Sequence, residues 1–194
     1  MTNLSFYKKA IGTEGEEYIK ELLSQEPTRE RGFKLLVNTY SERLYGLIYN
    51  MVKTHSRCDD ILQESFIKVY QNLDKYRGDS KLYTWIYRIT VNETLRELKK
   101  NRTQPMSPDD VANKLSPVRA ESELSSEQIQ QTLALAMETL PPKQRMVFNL
   151  RYYEEMKYGD MSKVLSTSEG ALKAAYHHAV KKIENYIAKH GVHG

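Results

Sequence analysis

Positive charge is concentrated in two segments of this 194-residue chain, and that arrangement has the clearest chemical consequence. Residues 75–102 carry eight lysines and arginines against three acidic residues, and residues 157–190 carry six lysines against three acidic residues. Residues 103–127, between them, carry two cations against five carboxylates. Segregated positive charge is typical of proteins that bind phosphate backbones, so we expect one nucleic acid to be bound at two places. Solvated helix faces that bind nothing are the alternative interpretation.

The sequence offers little for catalysis or metal binding. Cys58 is the one cysteine, which excludes an intramolecular disulfide and a cysteine-based zinc site. His177 and His178 are adjacent, so on a helix their side chains point about 100° apart, which is not the spacing of metal ligands. No nucleophile–base arrangement and no glycine-rich phosphate loop stands out. We therefore expect no catalytic residue, no metal, no cofactor and no enzymatic activity.

Composition and hydropathy predict a cytoplasmic protein. Hydrophobic residues make up 40% of the chain, enough for one or two small packed domains. The N-terminus lacks the apolar core of a signal peptide, and no segment reaches the roughly 18 apolar residues that a spanning helix needs. We expect no membrane insertion.

Apolar residues recur with a helical period throughout, without strict alternation, which predicts an all-α protein. The expected helices cover about residues 14–24, 31–53, 59–73, 82–100, 123–139, a segment opened by Pro141 and Pro142, 158–165 and 169–189. Prolines and the lack of a sustained period predict a flexible linker at residues 103–122. The chain then divides into an N-terminal extension with a short helix (1–28), a helical domain (29–102), the linker and a second helical domain (123–190).

The third predicted helix has a face that packing alone does not explain. Asp60, Gln63, Glu64 and Gln71 lie on it, and Ile67 lies among them. Single apolar surface residues are common, but an isoleucine surrounded by carboxylates and amides also suits a protein–protein contact. The opposite face, which we expect in the core, comprises Leu62, Phe66, Val69, Tyr70 and Leu73.

The loop and helix that follow combine cations with aromatic rings. Stacking of a base on an aromatic side chain contributes about 1–3 kcal/mol, and a cationic groove beside it holds single strands. Trp85 taken alone is more typical of a core. Together with its neighbours it predicts a site for an unstacked base, formed by Lys75, Tyr76, Arg77, Ser80, Lys81, Trp85, Arg88 and Asn92.

The last two helices have helix-turn-helix spacing. The run Ser166-Thr167-Ser168-Glu169 fits a Ser-x-x-Glu capping box at the start of the last helix. Its outward face is cationic and predicts a recognition surface for duplex DNA, although a purely structural helical hairpin would have the same spacing. The predicted surface comprises Lys173, Ala174, His177, His178, Lys181 and Lys182.

These residues resemble a known family. The runs Asp59-Asp60-Ile61-Leu62-Gln63-Glu64-Ser65-Phe66, Tyr76-Arg77-Gly78-Asp79-Ser80 and Thr84-Trp85-Ile86-Tyr87-Arg88-Ile89, with Asn92, resemble region 2 of sigma-70 family RNA polymerase sigma factors, particularly the extracytoplasmic-function (ECF) group. The runs Leu140-Pro141-Pro142-Lys143-Gln144-Arg145 and Ser168-Glu169-Gly170-Ala171-Leu172-Lys173, with His177-His178-Ala179, resemble region 4. Residues 1–28 fall outside the resemblance, and two possibilities stay open for them: an extra helix on region 2 or a site for an inhibitory partner.

The resemblance implies a function and partners. The helix that carries Asp60, Gln63, Glu64 and Ile67 would bind core RNA polymerase, the loop from Lys75 would capture the melted −10 element, and the last helix would read the duplex −35 element. The acidic linker would lie in the RNA path of the polymerase, and an anti-sigma factor is an expected partner. Ala174 and His178 occupy positions where many relatives carry Ser and Arg, so the bidentate Arg–guanine contact is absent.

Two other classes of protein fit parts of the pattern. A helix-turn-helix regulator with an N-terminal helical sensing domain accounts for the second basic segment, but not for the face around Ile67. A structural helical adaptor leaves both cationic faces without a role.

Overall fold

The computed structural model describes residues 13–101 and 126–190, and within those ranges every regular element is helical, as predicted. The predicted linker over 103–122 and the start of the N-terminal extension lie outside the described residues. The elements in chain order are α1 (Thr13–Ser24), a 3₁₀ turn (Glu26–Thr28), α2 (Arg29–Val52), α3 (His55–Gln71), a 3₁₀ turn (Leu73–Lys75), α4 (Leu82–Asn101), α5 (Ser126–Glu138), α6 (Pro142–Tyr152), α7 (Tyr158–Leu165) and α8 (Glu169–His190).

Most helices have bounds close to the predicted ones, and α3 differs most. It begins at His55, well before the predicted start at Asp59. The ring of His55 stacks 4.8 Å from that of Tyr49, and its Nδ1 lies 2.5 Å from the hydroxyl of Tyr45. These contacts with α2 hold the first turn in helical form, which local periodicity did not predict.

The start of α8 corrects the predicted capping box. Ser166 ends α7 in a left-handed conformation with φ 50°, so it caps no helix N-terminus. Ser168 takes that position instead: its carbonyl accepts the amide of Leu172 at 3.0 Å, and its hydroxyl accepts the amide of Ala171 at 3.3 Å. One serine cannot both end α7 and open α8, so the cap moves to the next serine.

Helices α1 to α4 form an N-terminal bundle around α2. The residues of α2 that point inward recur at helical spacing, and each fully buried leucine contributes about 1.5–3 kcal/mol of burial free energy. Tyr70, which the sequence predicted for this core, is 50% exposed. It lies at the rim, with its ring 4.9 Å from that of Phe33. The central buried side chains are Leu36, Tyr40, Leu44, Leu47, Val69, Leu82, Ile86 and Val91.

Helices α5 to α8 form a C-terminal bundle that shares its core with the first. One apolar cluster holds α5, α6 and α8 together through Met137, Phe148 and Ile183. Other inward residues of α6 and α7, including Leu150 and Met161, belong to the same cluster as the core of the N-terminal bundle. The two bundles therefore pack directly against each other in this conformation.

Polar side chains line the boundary between the bundles, which we call the interdomain seam (Arg43, Asn50, Tyr83, Tyr87, Asn149, Glu154 and Asp160). The amide of Asn149 donates to the backbone carbonyl of Leu47 at 3.2 Å and accepts from Asn50 at 3.2 Å. The hydroxyl of Tyr83 donates to the carboxylate of Asp160. These hydrogen bonds satisfy groups that packing would otherwise bury without partners.

Candidate nucleic-acid interface

The outward face of α3 presents the four residues predicted to contact a protein. Asp60, Gln63 and Ile67 are exposed, and Ile67 keeps 42% of its surface in solvent. Glu64 is less exposed because Lys68 lies 3.4 Å from its carboxylate. The structure therefore gathers all four on one accessible face, with the isoleucine among polar groups.

Six of the eight residues predicted to hold an unstacked base line one cleft of about 320 Å³. That volume is near the lower end of the roughly 300–1,000 Å³ range of ligand pockets, so it suits one flipped nucleotide rather than a duplex. Its walls come from the loop after α3 and the first turns of α4. The lining residues are Lys75, Tyr76, Arg77, Asp79, Ser80, Thr84, Trp85, Arg88 and Lys163.

Two predicted residues do not line this cleft. Lys81 points its ammonium group over the ring of Tyr83, 5.6 Å from the centroid. Asn92 is exposed farther along α4. Both stay on the surface beside the cleft rather than in it.

Trp85 lines the cleft, but it is also a core residue. Only 6% of its surface is exposed, and it packs with Leu82 and Ile86 in the main cluster. Its ring lies 5.2 Å from that of Tyr76, which covers it from the loop side. An open stacking platform at Trp85 is therefore not present in this conformation, and the more accessible aromatic ring of the cleft is that of Tyr76.

The loop that closes the cleft has a defined shape. The hydroxyl of Tyr76 donates to the carbonyl of Ser80 at 2.6 Å, which ties the two ends of the loop together. Gly78 between them has φ 79°, a left-handed conformation that glycine adopts without strain. Partial burial raises the pKa of the Tyr76 phenol, which favours the neutral hydroxyl that donates this bond.

Three lining residues were missed from the sequence. Thr84 and Asp79 belong to the runs already singled out, and their place in the loop and helix was a sufficient signal. Lys163 comes from α7 in the C-terminal bundle. Nothing in the sequence predicts that an α7 residue reaches this cleft, because the contact depends on how the two bundles pack.

The outward face of α8 carries all six predicted residues. Lys173, Ala174, His177, His178, Lys181 and Lys182 are exposed. On the inner side, Leu172, Ala179 and Ile183 are almost fully buried, which fixes the rotation of the helix. The ammonium of Lys182 donates to the side-chain oxygen of Gln144 at 3.2 Å, and that of Lys173 lies 5.6 Å from the centroid of Tyr158. All six residues of this basic face are thus accessible to solvent.

Neither a metal centre nor a membrane span is found in the described part of the chain. Among residues 13–101 and 126–190, no three histidine, cysteine or carboxylate side chains cluster as metal ligands. Within the same ranges, no helix combines the length and apolar character needed to cross a bilayer.

Comparison with known families gives matches to both bundles. Residues 36–104 match the family model of Sigma-70 region 2, and residues 130–183 match that of Sigma-70, region 4. The exposed face of α3 and every cleft residue except Lys163 lie in the first match, whereas Lys163 and the basic face of α8 lie in the second.

Whole proteins match in the same way. The chain is 30% identical over 168 residues to the ECF RNA polymerase sigma-E factor of Haemophilus influenzae, covering 81% of this chain and 88% of that protein. It is 30% identical over 171 residues to the RNA polymerase sigma-H factor of Pseudomonas aeruginosa, covering 81% and 87%.

Two solved structures have a similar fold. CnrH in complex with the cytosolic domain of CnrY matches with a TM-score of 0.69 at 19% identity, covering 91% of this chain and 99% of that one. The sigma factor RpoE of Bartonella quintana, in complex with the anti-sigma factor NepR, matches with a TM-score of 0.62 at 17% identity, covering 80% and 96%.

Proposed function

The chain belongs to the sigma-70 family of RNA polymerase sigma factors, in its extracytoplasmic-function group, and from that premise we propose how its surfaces divide the work of transcription initiation. The protein binds core RNA polymerase and directs it to promoters. Three surfaces of the chain divide this function, one each for polymerase, the −10 element and the −35 element. No step requires the sigma chain to make or break a covalent bond, so it acts as an initiation factor and not as an enzyme.

The cleft is the proposed site for the melted −10 element. Lys75, Arg77 and Arg88 surround it with positive charge, and Tyr76 supplies an aromatic ring. A cleft that accepts an unstacked base, but not a paired one, binds melted DNA better than duplex. Such differential binding shifts the equilibrium toward the open promoter without any energy source. This cleft is the observation that carries the proposal.

The outward face of α3 is the proposed contact with core polymerase. Ile67 is exposed and belongs to none of the three apolar clusters of the described residues, while Asp60, Gln63 and Glu64 lie on the same face. An apolar centre with a polar rim is the usual anatomy of a protein interface. This role is compatible with DNA binding because none of these four residues lines the cleft.

The basic face of α8 is the proposed reader of the −35 element. Lys173, Lys181 and Lys182 would bind phosphates, which makes binding fall steeply with salt. His178 and Ala174 would meet base edges, where histidine offers one hydrogen bond and alanine suits a thymine methyl group. Without a bidentate arginine, this chain should prefer a −35 sequence different from that of relatives that have one.

The two bundles must separate for both elements to be bound. The element names place them about 25 base pairs apart, which is about 85 Å of duplex. In the present conformation Lys163 of α7 lines the −10 cleft, so a reader of the −35 element is packed against the reader of the −10 element. We infer that polymerase binds a form in which the interdomain seam has opened.

A partner that keeps the bundles together would act as an inhibitor. Two structures with a similar fold are complexes, one with the cytosolic domain of CnrY and one with the anti-sigma factor NepR. An anti-sigma factor for this chain would stabilise the closed seam. The interdomain hydrogen bonds already hold the two bundles together, so the partner needs to add only a small further stabilisation of the closed seam.

Selection of promoters from random DNA tests the proposal directly. Bacterial core polymerase is mixed with the full chain and a random-sequence duplex library, and transcripts are sequenced. We expect initiation at a set of sites that share −10 and −35 sequences and that core polymerase alone does not use. If the chain binds library DNA but never supports initiation, it is a helix-turn-helix regulator, and the assignment fails.

A further inference from the structure

Helix α1 belongs to the N-terminal extension, outside the residues that match the region 2 family model, which begins at residue 36. The structure nevertheless builds it into the N-terminal bundle. Ile19 and Leu23 are buried in the main core cluster. Helix α2 approaches α1 closely at Gly32, where an added Cβ would lie 2.8 Å from the Cβ of Leu22. Helix α1 is therefore an integral helix of the bundle rather than a detached segment.

The side chain of Glu16 in α1 forms a polar contact with the start of α4. It is 8% exposed, and its carboxylate accepts a hydrogen bond from the backbone N–H of Leu82, the first residue of α4. The first N–H groups of a helix have no partner within the helix, and a carboxylate there also interacts favourably with the helix dipole. A residue 66 positions earlier in the chain thus satisfies the start of α4.

The local sequence cannot supply this cap. The amide of Trp85 donates to the carbonyl of Lys81 at 3.2 Å, so Lys81 occupies the N-cap position of α4. A lysine side chain has no acceptor for an amide hydrogen, whereas N-caps are usually Ser, Thr, Asp or Asn. Glu16 fills that role from another helix.

Helix α1 also reaches the loop of the cleft. Lys20 lies 3.7 Å from the carboxylate of Glu16 and 2.8 Å from that of Glu17. Its ammonium interacts as well with the phenol of Tyr76, opposing the rise that burial causes in the pKa of that group. A side chain of α1 therefore holds one wall of the cleft, the first turn of α4.

We propose that α1 is part of the −10 binding site and that Glu16 is a positioning residue for the side chains that capture the unpaired strand. By capping α4, Glu16 fixes the first turn of the helix that places Thr84, Trp85 and Arg88 in the cleft. A cleft ordered before DNA arrives loses less conformational freedom on binding. This inference rests on the proposed function, because it assigns α1 to the same cleft.

The test compares reconstituted holoenzymes that contain the wild-type chain, Glu16→Ala, Glu16→Gln or Glu17→Ala. The probe is a promoter that the wild-type holoenzyme selects from the random library, prepared with its −10 region unpaired. We expect Glu16→Ala to weaken binding of this probe about fivefold, the effect of losing a typical N-cap, while its affinity for core polymerase changes by less than about twofold.

The other two variants distinguish capping from general stability. Glu16→Gln keeps an oxygen that accepts the Leu82 amide, so it should retain most of the wild-type affinity. Glu17→Ala removes a neighbouring carboxylate whose side chain is 65% exposed, and it should bind like the wild type. Equal losses for the probe and for core polymerase in Glu16→Ala, or a Glu16→Gln variant as weak as Glu16→Ala, would overturn the proposal.

Hydrogen exchange of the wild-type chain gives a second measurement that needs no variant. We expect the Leu82 amide to exchange slowly, unlike the uncapped first-turn amides of a helix. Rapid exchange at Leu82 would show that Glu16 does not hold it and would also overturn the proposal. If the wild-type holoenzyme selects no promoter at all, the proposed function fails, and that outcome is distinct from failure of the role of Glu16.

Discussion

The guanidinium of Arg43 in α2 lies 2.9 Å from the carboxylate of Glu154, which follows α6, and this ion pair crosses the interdomain seam. The hydroxyl of Tyr87 in α4 donates to the same carboxylate oxygen at 2.5 Å. The side chain of Glu154 is only 10% exposed, so the carboxylate end of the ion pair is largely shielded from water. Two helices of the N-terminal bundle thus meet the C-terminal bundle at one carboxylate, which makes Glu154 the residue whose loss should loosen the seam most.

Replacing Glu154 with Ala should favour the separated form of the two bundles. The change leaves Arg43 and Tyr87 without their partner, and removing one member of a buried pair costs about 3–5 kcal/mol; the 28% exposure of Arg43 reduces that figure. Fluorescence energy transfer between dyes on α3 and α8 should report a longer distance in the variant. Glu184→Ala removes the same charge from an exposed position of α8 and should leave the distance unchanged. An unchanged distance in Glu154→Ala would mean that apolar packing alone closes the seam.

Alkaline pH should lower the free energy of unfolding through ionisation of Tyr87, whose hydroxyl donates to Glu154. Burial, and secondly the carboxylate of Glu154, raise the pKa of the Tyr87 phenol well above its usual range. The neutral phenol is the favoured form in the fold, so its stabilising effect is complete below the unfolded pKa of about 10 and is lost as pH rises above it. Urea unfolding at pH 8 to 11 should show a falling free energy of unfolding, with a shallower fall in Tyr87→Phe. Parallel curves for the two proteins would contradict the assignment to Tyr87.

Ile67→Asp should weaken binding to core polymerase. A charge at the centre of an interface loses apolar contact and remains unpaired; central interface residues typically contribute about 2 kcal/mol, or roughly thirtyfold in affinity. Asn38→Asp introduces the same charge at an exposed position of α2, away from this face, and is the matched control. Fluorescence anisotropy of the labelled chain with core polymerase gives both affinities. Equal affinities for Ile67→Asp and the wild type would remove the role of this face.

The helices could be predicted from sequence because each has a sustained apolar period, and α7 has the predicted bounds Tyr158–Leu165. The candidate surfaces were also accessible to sequence reasoning, since exposed polar residues at helical spacing define the outer faces of α3 and α8. Contacts between segments that lie far apart in the sequence could not be predicted in this way. Lys163 in the cleft and Glu16 on Leu82 both depend on tertiary packing, which no local pattern encodes. The burial of Trp85 shows the same limit, because the presence of a tryptophan does not by itself decide between a core and a stacking surface.

Arg88→Ala should impair promoter melting more than binding of a promoter that is already melted. Arg88 is exposed and lines the cleft, so its removal takes away a cation that attracts the flipped strand without opening the core. A single phosphate or base contact of this kind contributes about 1–3 kcal/mol. Permanganate reactivity of unpaired thymines should fall on duplex promoters, with a smaller loss of affinity on unpaired ones. Arg96→Ala, an exposed arginine of α4 that does not line the cleft, is the control, and equal losses on both DNAs would contradict a melting role.

His178→Arg should change the preferred −35 sequence. His178 is exposed on the face of α8 that we assign to the major groove. An arginine there can form two hydrogen bonds with the O6 and N7 of guanine, which is worth about 1–3 kcal/mol of discrimination. Promoter selection with the variant holoenzyme should therefore enrich guanine at one −35 position. Asn185→Arg adds the same charge farther along α8 and should strengthen binding to all sequences without altering the preference. An identical −35 profile for His178→Arg and the wild type would show that this position does not read bases.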